Sequence, residues 1–160
     1  MIPELLDTFK NTLKFIEQSV TDLSEQEMVE QPVGVPNHAT WTLGHLIHSC
    51  QGIANELGTQ QWLPNDLESI FGYGSTPSSD LSRYPSKSDM LRALTNASDH
   101  LHQTLLSVGQ SALKQSLPDQ PLPTMGHLLF QVVIAHTAFH AGQLAVWRHA
   151  MGKRSQAVFV

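Results

Sequence analysis

Residues 124–151 read TMGHLLFQVVIAHTAFHAGQLAVWRHAM, and this stretch decides the fold. At 100° per residue, a helix here puts Met125, Leu129, Val132, His136, His140, Gln143 and Trp147 on one face. Two imidazoles then sit inside an apolar stripe, where a polar group is costly unless something satisfies it. One divalent metal would satisfy both rings, since imidazole nitrogen is a common ligand for transition metals. Nine histidines in 160 residues give roughly half of one such i,i+4 pair by chance, so the spacing alone is a weak signal. The shared apolar stripe is what points to a metal. Thr137 follows His136 where a zinc protease would carry glutamate, which argues against a metalloprotease.

The helix extends to Gly152, a residue suited to ending it, and Thr124 stands at its cap position. A second apolar side, Phe130, Ile134, Ala138, Ala141 and Ala145, predicts either central burial or a homodimer interface. The longest apolar run, Leu128 to Ala135, is interrupted by Gln131 and is too short to span a bilayer. Arg148, His149, Lys153 and Arg154 cluster at the helix end, where they complement its dipole.

Upstream, Ile2, Leu5, Leu6, Phe9, Leu13, Ile16 and Val20 recur at helical spacing, which predicts an amphipathic core helix over 2–20. Ser24 to Glu27 matches a capping box, and the stretch 31–37, with two prolines and a glycine, reads as a loop. A second helix is predicted from Trp41 to about Leu57, capped by Thr40 or a neighbour. Leu43, Leu46, Ile47, Cys50, Ala54 and Leu57 make its aliphatic face; Trp41, His45 and His48 lie opposite. Exposed histidines are the default, but Trp41 beside them argues that part of this face is covered.

Residues 58–87 hold no sustained period and carry Trp62, Ile70, Phe71, Tyr73 and Tyr84, as a functional loop or plain packing would. Ser86 to Asp89 resembles a further capping box, opening a third long helix to about Ser107 with Leu91, Leu94, Ser98, Leu101 and Leu105 inward. His100 and His102 cannot share a face of it and are expected at the surface. Pro118, Pro121 and Pro123 bar any helix before Thr124. Four long helices without a strand pattern predict an all-α four-helix bundle in a single domain over 1–160, with a long loop between the second and third helices.

Net charge is −5 and 14% of residues are charged, so no basic surface suggests a nucleic-acid partner. Cys50, the only cysteine, permits no internal disulfide and reads as inert packing. The start, MIPELLDTFK, has no basic leader before an apolar run; with the short apolar run above, the expectation is a cytoplasmic protein without a membrane partner.

NHATWTLGHLIHS at 37–49, IFGYGSTP at 70–77, RYPSKSDML at 83–91 and HTAFHAGQLAVWRHAMGK at 136–153 resemble the DinB-like metalloprotein superfamily. The likeness covers most of the chain, and the pairing of HxxxHxGQ with W-x-x-GHL is its specific part. The resemblance implies a four-helix bundle holding one divalent transition metal (Ni, Zn or Fe) on three histidines. Two map to His136 and His140; the third, the His of GH in relatives with this segment, maps to His45. Other members place that ligand later, which leaves His48 as a rival, and the helical wheel does not separate the two. Characterised members include transferases and isomerases using low-molecular-weight thiols. The implied function is a metal-dependent, thiol-using transferase acting on a small electrophile; a metal-activated-water hydrolase or a non-catalytic, metal-stabilised stress-linked domain are the alternatives. No Asp, Glu or Lys on the metal-bearing faces offers a general base.

Overall fold

A computed structural model describes residues 2–64, 66–118 and 121–154. Every regular element among them is helical, and the β contact there is an isolated bridge between Ser116 and Thr124. Helix α1 spans Ile2–Gln18 and buries Ile2, Leu6, Phe9, Leu13 and Ile16, the face its spacing predicts. The Ser24 amide donates to Glu27 at 2.8 Å and the Glu27 amide to the Ser24 hydroxyl at 3.3 Å, closing the predicted capping box over one short helical turn.

Helix α2, Ala39–Glu56, starts two residues before the predicted Trp41. Its cap is His38 rather than Thr40: the His38 Nδ1 accepts from the Trp41 amide at 3.1 Å. Thirteen of its eighteen residues are buried, so it is covered on both sides, Trp41 and His45 included. The segment after it is less of a loop than its composition suggests. Helix α3, Leu67–Phe71, and a turn at Leu81–Arg83 fold there. Tyr84 accepts from the Ser78 amide, and Ser78 in turn holds His38, so the segment is pinned to the start of α2.

Helix α4, Lys87–Val108, opens on Ser86, whose hydroxyl accepts from the Asp89 amide at 3.1 Å, and packs mainly along α2. His100 is exposed, against Trp62 at 3.9 Å between ring centroids, and His102 is half-buried. The last span runs through α5, Met125–Leu129, a π-helical stretch at Phe130–His136, and α6, Thr137–Ala150. The Thr124 hydroxyl bonds the His127 ring at 2.8 Å and caps no backbone amide. Gly152, at φ 70°, supplies the left-handed residue just past the end of α6.

The π stretch shifts the facing of this span. Val133, not Val132, is fully buried, and inward positions continue as Thr137, His140, Ala141, Leu144 and Trp147. The predicted second apolar side is split: Ala141 is buried, while Phe130 is 62% exposed. Arg148 also departs from expectation. Rather than lying at the surface as a dipole partner, it is 1% exposed and donates to the Asp22 carboxylate at 2.7 and 3.0 Å and to the Ser19 carbonyl at 2.6 Å. That hydrogen bonding holds the Asp22 carboxyl below its ordinary pKa.

Met125–Ala150 spans 26 residues and holds a window of 18 with a mean hydropathy of 1.3, so by length and composition it could cross a membrane, which the short apolar run had hidden. A core helix has the same length and composition, and this one packs on α1 and α2. Cys50 is buried in the core, its thiol pushed up to about 12 by burial.

Candidate metal centre

The site begins at the W-x-x-GH segment of α2. A Cβ on Gly44 would overlap the Phe71 ring, so glycine is what lets α3 lie against α2 here. That approach carries the Phe71 carbonyl to the His45 Nδ1 at 2.7 Å. A carbonyl only accepts, so Nδ1 carries the proton and the neutral ring turns a bare Nε2 inward. Trp41 stacks on the same ring at 4.6 Å with planes 11° apart, and its indole N–H is held by Ser75 at 2.9 Å. Thus the imidazole is fixed on one edge and one face.

The other two rings come from the last span. His136 closes the π stretch and His140 lies one turn into α6. The His136 Nε2 stands 3.0 Å from Nε2 of His45 and 3.0 Å from Nε2 of His140. The three residues form a group able to hold a metal ion. Their protons cannot resolve these contacts. His45 Nε2 is bare, so His136 must donate to it; His136 then has no lone pair left for His140. If instead His136 accepts from His140, two bare nitrogens face each other at His45. Charging a ring is opposed by burial, which takes His136 down to about 4 and His140 to about 3, neighbouring histidines adding to both shifts. His45 is lowered by burial as well, against the Phe71 carbonyl, which favours its charged form. One cation between the nitrogens satisfies all three, and the donor set is one that zinc, nickel or iron accepts.

The outer nitrogens of the pair on the last span are less well served. His136 Nδ1 and His140 Nδ1 are buried without a hydrogen-bond partner, as is the Gln143 Oε1. The Gln143 amide is near enough to favour the charged form of His140 while lying outside hydrogen-bond geometry. It is a donor–acceptor pair one helical turn apart, of the kind that orients a ligating ring.

His48, the rival of His45, is not brought to the cluster. It lies one turn further along α2, where its Nε2 meets the Glu68 carboxylate of α3 at 2.7 Å. Both line a cleft of about 390 Å³ that reaches His45 and His136 and is walled by Ile53, Leu128 and Val132. An acidic group thus reaches the cleft after all. The helical wheels missed Glu68 because it arrives on α3, inside the segment without periodicity; ESIF at 68–71 is the brief apolar signal that could have shown a helical turn.

Fold and site together define an all-helical protein in which two helices gather three histidines at one point, in an arrangement that could hold a metal ion. A family model described as the DinB superfamily matches residues 8–144, and the chain belongs to that superfamily. No curated protein and no solved structure matches it.

Proposed function

We propose that this protein is a four-helix bundle of the DinB type that binds one divalent transition metal on the Nε2 atoms of His45, His136 and His140, and uses it in a thiol-dependent transfer to a small electrophile. The observation that carries the reading is the meeting of three imidazole lone pairs that no set of neutral tautomers satisfies. A divalent ion held by these three neutral ligands would keep its full charge and would lower the pKa of a thiol or water beside it. The chain's own residues do the rest. Phe71 and Trp41 hold the His45 ring in place, and Ile53, Leu128 and Val132 offer an apolar wall to the electrophile and exclude water from the sulfur.

Metal analysis of the purified protein tests the first half. Ala in place of His45, His136 or His140 is expected to take bound metal well below one per chain, whereas His48→Ala keeps it. Full occupancy in the first three variants sinks the site. Turnover of a thiol with an electrophile, abolished by a chelator, tests the second half; a folded, metal-loaded protein inert to a broad panel of both would reduce the metal to a structural role.

A further inference from the structure

We propose that His48 and Glu68 form the proton-accepting pair of this site, taking the proton of the thiol that is activated at the histidine cluster. The inference rests on the functional reading above, and it starts from placement. The pair shares one cleft of about 390 Å³ with His45 and His136. His48 stands three residues after His45 on α2, which puts both rings on the same side of the helix. Its Nε2 is 2.7 Å from the Glu68 Oε2, and the His48 side chain is 25% exposed, open enough to meet a ligand in the cleft.

The contact decides which nitrogen works. A carboxylate only accepts, so Nε2 carries the proton and Nδ1 is the nitrogen left with a lone pair. In the proposed step the S–H bond of the thiol breaks and its electron pair stays on sulfur. The proton forms an N–H bond at Nδ1 of His48. The resulting imidazolium keeps its Nε2–H on Glu68, whose negative charge balances it. No oxidant or reductant enters, and the charge created on sulfur and imidazole is matched within the cleft. The other titratable groups around the cleft are Glu56 and His45 on α2, His136 across it and Tyr73 after α3. None of these is a comparable acceptor: His45 and His136 are committed to the cluster, Glu56 lies two turns beyond His48, and Tyr73 brings a phenol, a far weaker base than imidazole.

Glu68 is 73% exposed, where a surface ion pair contributes little to stability, and it stands at the wall of the cleft.

The test is a proton count. Zinc-loaded protein is titrated with 2-mercaptoethanol in a calorimeter, in two buffers of different ionisation enthalpy, which gives the protons released to solvent per thiol bound. Wild type is expected to release close to none, and His48→Gln close to one, at the same zinc content and helicity. Glu68→Gln is expected to lie between them. In the zinc-free protein, nitrogen NMR is expected to show His48 as the Nε2–H tautomer, with that preference relaxed in E68Q. Equal proton release by wild type and H48Q, with thiol binding retained in both, overturns the pair and leaves the thiol reading standing. Loss of zinc in H48Q also overturns it, by making His48 a ligand. Absence of thiol binding to zinc-loaded wild type overturns the thiol reading, and the pair with it.

Discussion

A methyl group on Gly44 would overlap the Phe71 ring, and the close approach that glycine permits brings the Phe71 carbonyl to His45. Gly44→Ala is therefore expected to push α3 outward and free the His45 ring. Overpacking of this kind costs about 1–3 kcal/mol. Denaturant unfolding should show that loss and metal analysis should show reduced occupancy; wild-type values for both would mean that α3 does not position the ring. Protonation at the same residues has a definite sign. Free imidazole titrates near 6.5, but His136 and His140 stay neutral in the fold down to about 4 and about 3. Between those values the unfolded chain binds protons that the folded chain refuses, so stability falls as pH drops through the window. The metal-free protein is expected to be less stable at pH 5 than at pH 7, and His136→Asn to flatten that slope. An unchanged slope would locate the pH dependence in other groups.

Among the elements, the last span separates what spacing reveals from what it hides. His136 and His140 are legible because the four residues leading from His136 into α6 still make one turn, whichever way the preceding half faces. Val132 was misplaced because the wheel assumes 100° throughout, and the π stretch at Phe130–His136 breaks that assumption. The Thr137 hydroxyl, donating to the Val132 carbonyl five residues back at 3.1 Å, sits on the widened turn. The segment between α2 and α4 hid more. Its closest contribution to the histidines is a backbone carbonyl on His45 and a carboxylate on His48, and a carbonyl leaves no trace in side-chain pattern. If the widened turn aims His136, it does so because its extra residue rotates α6 against α5. Deleting the exposed Ala135 should restore α-helical winding and turn His136 and His140 away from His45. Circular dichroism is expected to show full helicity while bound metal is lost. Retained metal would show that the rings are aimed by packing on α2 alone.

At the scale of the whole molecule, the last span is tied to the rest at two places of different character. At its far end Arg148 is chelated by Asp22, and Lys153 meets Glu27 at 2.7 Å. Hydrogen bonding from Lys153 takes the Glu27 carboxyl down to about 2, so this tie persists across the ordinary pH range. In the middle, the span meets α2 through three histidines whose two Nε2 contacts of 3.0 Å cannot both be satisfied by neutral rings. A cation held there would bind the folded arrangement in preference to the unfolded chain, and so would add stability by mass action. At free metal a thousandfold above its Kd the gain is about 4 kcal/mol. For a domain near this length, each kcal/mol moves Tm by about 2–4 °C. Chelation should therefore lower Tm by about 8–16 °C in wild type, with the end tied by Arg148 unaffected. His45→Ala already lacks the bridge between α2 and the last span, so its Tm should hardly respond to chelator. An equal drop in that variant would mean that the stabilising ion sits somewhere other than among these three rings.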